Sequence, residues 1–324
     1  MKKLVLLATG GTISTQNDEK QGGLIAKLNG EEILNQLLNQ NVDLEVQNFS
    51  TVNSTYLTPQ DMYLLAKRVE EILQRNDIDG IVITHGTSTM EESGFMLDIL
   101  IENHKPVVIT GSQRPSSDQW PDGPQNLEAA IRVAASNQAE NKGVMVVFAS
   151  KIFQAREIQK IHTYGLEAFD SGDKGLLGFV YSDKVVFYSD KTRKKLTVTG
   201  FADYPVDIIK FYAGADKKFF KAVIANKVKG IVVEGVGLGN VNGEFYQGIK
   251  EALSQGIEVV ITSRSYMGRV IPQYGYPGGG LSLEKLGVIF GEGLPSPKAR
   301  ILLMLAFNQG LKREEIRELF KMFP

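Results

Sequence analysis

The 324 residues, 43% hydrophobic and 23% charged, suffice for about two ordinary domains and have the balance of a soluble globular protein. The 36 Lys and Arg nearly cancel the 37 Asp and Glu, which removes the electrostatic case for nucleic acid or an anionic membrane as a partner. Cysteine is absent, excluding disulfides, thiolate zinc sites and cysteine nucleophiles, and the three histidines (His85, His104, His162) are too scattered to suggest a metal cluster.

In chain order, "MKKLVLLATGG" sets two lysines before an apolar stretch, as a signal peptide does. That stretch is only about six residues long, too short for the apolar part of a leader. It reads as a first strand, and the protein as cytoplasmic. Val/Ile-rich runs recur at "GIVITHG" (80–86), "PVVITGS" (106–112), "GVMVVFAS" (143–150), "GIVVEGVG" (230–237) and "EVVITS" (258–263). Amphipathic helical patterns lie between them at 59–75, 122–136 and 245–255. This alternation predicts an α/β fold: a larger N-terminal domain with a doubly wound, mostly parallel sheet, and a smaller C-terminal α/β domain. Residues 180–206 break the alternation with short β-like pieces, a basic run and a proline. The expected division is a catalytic domain over 1–186, a linker over 187–206 and a C-terminal domain over 207–324. There are no internal repeats and no runs of transmembrane length.

Three strand ends carry residues able to do chemistry: "ATGGTIS" (8–14), "THGTSTMEES" (84–93) and "TGSQRPSSDQWPDGPQNL" (110–127). Doubly wound sheets place ligands at such carboxyl ends. Gly10 and Gly11 allow a sharp turn that leaves N–H groups pointing into the crevice. Neither the dinucleotide fingerprint nor the P-loop pattern is present. Thr12 and Thr87 are then either helix caps or hydroxyls facing each other across one cleft.

"TGGTI", "HGTSTMEE" and the later "RP" and "DGPQNL", in this order, resemble the bacterial-type asparaginase/glutaminase family, threonine-dependent amidohydrolases. The likeness continues through 143–171, "VEGVGLGN" (233–240) and "PSPKARILLMLA" (295–306), nearly the whole chain. It implies Thr12 as nucleophile, Thr87 as the second threonine and Lys160, in "AREIQKIHT", as the lysine that contacts it. A threonine hydroxyl needs a neighbouring base, and a desolvated lysine is one near neutral pH. Backbone N–H groups of the two glycine turns would stabilise the oxyanion, worth about 3–4 kcal/mol per donor. Substrate contacts are expected from Gly11, Ser54, Thr55, Gly86, Ser88, Ser112, Asn240, Tyr274 and Tyr276. His85 and His162 read as structural hydrogen-bonders. No cofactor or metal is implied; a homo-oligomer, dimer or tetramer, is.

The sequence also departs from the family pattern. Ser88 stands where an aspartate is usual, a residue expected to hold the substrate's α-ammonium and to sit beside the lysine. Residues 13–55 contain no tyrosine, with Leu24 in the stretch where a loop tyrosine is usual; Tyr274 and Tyr276 are the candidate replacements. Residues 263–280 contain no Asp or Glu. Two missing carboxylates, at about 1.5–3 kcal/mol each, would weaken binding of a free amino acid. They would also leave Lys160 without an anionic neighbour, lowering its pKa. The expected activity is hydrolysis of L-asparagine to L-aspartate and ammonia through a threonine acyl-enzyme. The alternatives are an amidase or lactamase for substrates without a free α-amino group, and a catalytically weak small-molecule-binding homologue. A fourth is the ammonia-supplying subunit of a tRNA-dependent amidotransferase, against which "ATGGT" begins at residue 8. Residues 15–29 are expected to form a mobile lid over Thr12.

Overall fold

A computed structural model describes residues 1–18, 22–35, 42–190 and 195–323. The chain divides into two compact units, Met1–Leu196 and Thr197–Pro324.

The first unit is built on an eight-stranded sheet. Its strands are β1 (Lys3–Gly10), β4 (Asp43–Val52), β5 (Gly80–Thr84), β6 (Val107–Thr110), β7 (Val144–Phe148), β8 (Lys151–Gln154), β11 (Gly178–Val180) and β12 (Val185–Phe187). A hairpin of β2 (Thr15–Asp18) and β3 (Gly23–Ala26) and a pair of short strands, β9 (Gln159–Lys160) and β10 (Phe169–Asp170), stand apart from it. The order is β12-β11-β8-β7-β6-β5-β1-β4. The five strands from β4 to β7 run parallel, and β8, β11 and β12 complete the sheet antiparallel. The sheet is thus mostly parallel, as expected.

The helices are α1 (Gly30–Leu34), α2 (Pro59–Leu73), α3 (Met90–Leu100) and α4 (Gly123–Ala135). Leu4, Leu6, Val82, Val108, Met145 and Val147 share one core with Leu127, Ala130, Ile131 and Val133 of α4 and Ile33 of α1. Val5, Leu7, Ile81 and Ile83 are equally buried and, by the alternation of a strand, face the other way, where α2 and α3 pack together. Burial on both faces explains why these strands read as unbroken apolar runs. Local signals start α2: Thr58 and Asp61 form a reciprocal capping box, with Pro59 as first helical residue.

The second unit is a four-stranded parallel sheet, β13 (Val206–Lys210), β14 (Gly230–Gly235), β15 (Glu258–Ser263) and β16 (Ile289–Phe290), in that order. Helices α5 (Lys218–Ala225) and α6 (Gly243–Ser254) bury Phe220, Phe245 and Ile249 against Ile231, Val233 and Ile261. The almost wholly buried α8 (Ser296–Asn308) packs on the same sheet, and α7 (Gly280–Lys285) and α9 (Arg313–Phe320) complete the unit.

The registers position the site. Ala8 pairs with Thr84, and Thr84 with Thr110, so β1, β5 and β6 end level with one another. Their three following turns, which hold Thr12, Thr87 and Gln113, emerge side by side at the carboxyl edge.

Candidate active site

The first turn needs its glycines. Gly10 and Gly11 have φ of 98° and 84°, a region that L side chains rarely adopt. A Cβ on Gly11 would lie 2.4 Å from the backbone of Gly86, and one on Gly86 would lie 2.6 Å from Ser54 Oγ. The turns bearing Thr12 and Thr87 are therefore in backbone contact, with Ser54 behind them. Neither threonine is a helix cap. Thr12 opens a 3₁₀ turn, Thr12–Ser14, that Gly11 precedes, and the N-cap position of α3 is Thr89, whose hydroxyl donates to the Ser54 carbonyl at 2.8 Å. The N–H of Gly11, expected to be free for an oxyanion, instead donates to the Val52 carbonyl at 3.2 Å.

Thr87 is buried and Lys160 half-buried. Lys160 Nζ donates to Thr87 Oγ1 at 2.7 Å and to Gln113 Oε1 at 2.9 Å. Thr87 Oγ1 donates to the same Gln113 oxygen at 3.0 Å. Three polar atoms thus close a triangle at the end of the sheet.

Each corner is anchored from a different element. Lys160 is carried by α3: Glu91, Gly94 and Asp98, spaced i, i+3, i+7, lie on one helical face. Glu91 accepts the Lys160 backbone N–H at 2.5 Å, and Asp98 pairs with the buried Arg156. At Gly94 an added Cβ would come within 3.2 Å of Ala155. The segment 155–160 is therefore held along two turns of the helix. Gln113 is fixed by Asp122, which accepts the N–H groups of Gln113 (3.1 and 3.0 Å) and Arg114 (2.8 Å). Asn126 ties Asp122 to the Gly111 carbonyl, both at 3.0 Å. This stapling gives the "DGPQN" motif its physical meaning.

Burial pushes the Lys160 ammonium below its ordinary pKa, and the negative charge of Glu91 opposes the shift. A carboxylate therefore does stand beside Lys160. The expectation that the lysine lacks one is corrected, because Glu91 reaches it from α3 rather than from the position after Thr87. Wholly buried His85 donates Nδ1–H to the Gly86 carbonyl (2.8 Å), and burial pushes its pKa down to about 4. It is neutral and holds the second turn. His162 accepts the N–H groups of Tyr164 and Gly165 at 3.0 and 2.7 Å, a structural role like the one expected.

The remaining candidates fall into three groups. Ser54 and Ser112 are buried near the turns, whereas Ser88 and Thr55 are exposed. Leu24 is exposed on β3, 48% accessible. Asn240, Tyr274 and Tyr276 belong to the second unit, where Asn240 Oδ1 accepts the Gly280 N–H at 3.3 Å. The exposed rings of Tyr274 and Tyr276 lie 5.9 Å apart there. Of the expected lid, residues 15–18 and 23–26 pair as a hairpin, and 19–21 lie outside the described residues. Likewise 191–194 of the expected linker lie outside them. Gln113, Glu91, Asp122 and Asn126 carry no role in the sequence reading. The signal for them was their presence inside the quoted motifs. Among the described residues, no group of three or more acidic or histidine side chains is arranged to hold a metal ion. No helix among them is long and apolar enough to cross a membrane.

Two family models match in succession: "Asparaginase, N-terminal" over residues 3–193 and "Glutaminase/Asparaginase C-terminal domain" over 205–320. The chain is 36% identical to an L-asparaginase of Bacillus licheniformis, over 96% of this chain and 98% of that one. It is 34% identical to L-asparaginase 2 of Bacillus subtilis (strain 168), over 97% and 85% of the two chains. The crystal structure of a probable cytoplasmic L-asparaginase from Campylobacter jejuni superposes with a TM-score of 0.90 at 33% identity, covering 100% of both chains. With two threonine turns in contact, a lysine bonded to one of them and these matches along its length, the chain belongs to the bacterial-type asparaginase/glutaminase family of amidohydrolases.

Proposed function

We propose that the chain hydrolyses the side-chain carboxamide of L-asparagine to L-aspartate and ammonia through an ester on Thr12. The observation that carries this reading is the 2.7 Å bond between Lys160 Nζ and Thr87 Oγ1, on a turn touching the one that bears Thr12. Thr12 Oγ adds to the amide carbon, and its proton passes by way of Thr87 to the neutral amine of Lys160. When the tetrahedral oxyanion collapses, the C–N bond breaks and the leaving nitrogen takes a proton from the Lys160 ammonium. Ammonia departs and the acyl-threonine remains. Water then adds to the ester carbonyl and gives its proton to the same amine. The acyl C–O bond breaks, Thr12 recovers its proton and aspartate is released. The lowered pKa of Lys160 favours this role, because it enlarges the neutral fraction near neutral pH.

Gly11, Ser54, Thr55, Gly86, Ser88 and Ser112 are the substrate contacts of this reading in the first unit, with residues 1–186 as the catalytic domain. Asn240, Tyr274 and Tyr276, in the second unit, are the further substrate contacts that the family likeness implies. L-asparagine as substrate and a cytoplasmic setting are supported by the names of the relatives; a homo-oligomer, dimer or tetramer, goes with the family. Ammonia release from L-Asn, D-Asn, L-Gln, N-acetyl-Asn and succinamate is the test. L-Asn is expected to be hydrolysed, and Thr12→Ala to reduce its turnover to a few per cent or less while leaving the thermal melt in place. Turnover of succinamate or N-acetyl-Asn with none of L-Asn would overturn the assigned substrate and favour an amidase for amides without an α-ammonium.

A further inference from the structure

Gln113 sits where the relay needs a third partner. Its Oε1 accepts from both Lys160 Nζ and Thr87 Oγ1, while its Nε2 donates to the Gly165 carbonyl at 3.2 Å. That carbonyl can only accept, so it fixes which end of the amide faces the relay. The backbone of Gln113 is held by Asp122, and the Gly165 turn by His162 Nδ1. The residue is therefore held at both ends, and its oxygen is not free to swing away.

Two protonation states make different demands on that oxygen. As an ammonium, Lys160 donates to Thr87 and to Gln113, and the Thr87 hydroxyl turns to Gln113. As a neutral amine, Lys160 keeps one N–H on Gln113, and its lone pair becomes the acceptor for the Thr87 hydroxyl. Gln113 Oε1 remains an acceptor throughout, while only the Thr87 proton changes partner. A carboxylate at the same point would also accept, but would favour the ammonium.

We propose that Gln113 is the positioning residue of the proton relay, a neutral acceptor that keeps Lys160 against Thr87 in both protonation states without adding negative charge. This rests on the roles proposed above for Thr12, Thr87 and Lys160. The ionisable groups on the elements joined to the lysine are Glu91 on α3, Asp122 at the head of α4 by way of Gln113, Asp170 on the strand paired with its own, and His162 two residues beyond Lys160.

The test compares Gln113→Glu and Gln113→Met with the unmodified chain, using ammonia release from L-Asn across pH and thermal melts as a check on folding. Gln113→Glu keeps the shape and adds a charge, so the acid limb of kcat should move up by about one pH unit. Gln113→Met also avoids setting two acceptors against the Gly165 carbonyl; its kcat should fall at least about tenfold with KM within about twofold. Thr12→Ala and Lys160→Met serve as controls. If they remain active, the relay reading itself fails and this inference falls with it. If they are inactive while both folded Gln113 variants keep the unmodified kcat and pH profile, this inference alone is overturned.

Discussion

At the scale of single residues, His85 has a measurable consequence outside catalysis. It is fully buried and neutral, with its pKa pushed from the ordinary 6.5 to about 4. Between those values the unfolded chain binds a proton that the folded chain refuses, so stability rises with pH across that window. A depression of this size corresponds to about 3 kcal/mol lost as the pH falls from 6.5 through 4. Urea unfolding followed from pH 7.5 down to 4 should show that decline, and His85→Asn, unable to titrate, should flatten it. An unchanged slope in the variant would mean that other groups set the acid limit. The same residue marks how far single positions were legible. Thr12, Thr87 and Lys160 came from the resemblance of their motifs, and the structure brings Lys160 and Thr87 into contact. Gln113 could not be read in this way. Its meaning depends on a loop stapled by Asp122 and on a carbonyl 52 positions away, at Gly165, neither of which leaves a local pattern.

At the scale of elements, the apolar runs at 80–86, 106–112 and 143–150 identified the central strands because burial on both faces removes polar residues from them. β4 was not among them. Among the described residues it pairs only with β1, at the sheet's edge, and "DLEVQNFSTV" mixes polar with apolar side chains. β11 and β12, three residues each, are too short to show any period. Among helices, α3 connects most directly with the site through Glu91 and Asp98. The Asp98 carboxylate is completely buried, receives Arg156 and also accepts the Val144 N–H at 3.1 Å. Removing one member of such a pair strands a buried charge at a cost of about 3–5 kcal/mol. Lys195 Nζ lies 3.6 Å from the same carboxylate and keeps part of its charge compensated, so Arg156→Met should lower stability by less than that amount in denaturant titrations. It should also reduce kcat beyond what the stability loss explains, because the segment holding Lys160 loses one of its two ties. A variant as stable and active as the unmodified chain would show that this tie is dispensable.

At the scale of the whole molecule, the two-unit division was legible in outline. Residues 180–206 interrupt the alternation of strands and helices, and the chain passes from the first compact unit to the second between Leu196 and Thr197. The second unit exposes Met267, Tyr274, Tyr276 and Leu281, within one stretch of the chain. An apolar stretch of this kind is common where one protein surface meets another, and the homo-oligomer proposed above supplies the partner. Sedimentation equilibrium should give a mass that is a multiple of the single 324-residue chain. Tyr274→Glu together with Tyr276→Glu should shift it toward the single chain. A fully active monomer would exclude assembly as a requirement for function.

The two ties of α3 to the lysine segment differ in depth. Glu91 lies half-buried in the first helical turn, whereas Asp98, in the last turn, sees no solvent. Contacts within reach of water open at lower free energy than wholly buried ones. On warming, the shallow tie should be released first, while the deep tie and the sheet beneath it still hold. The backbone of Lys160 then loses its anchor while Gln113 still holds the side chain, so catalysis should weaken reversibly in a molecule that is otherwise folded. Ammonia release and the thermal melt, followed together, test this order: activity should fall some degrees before the fold does, and coincident loss of both would exclude it.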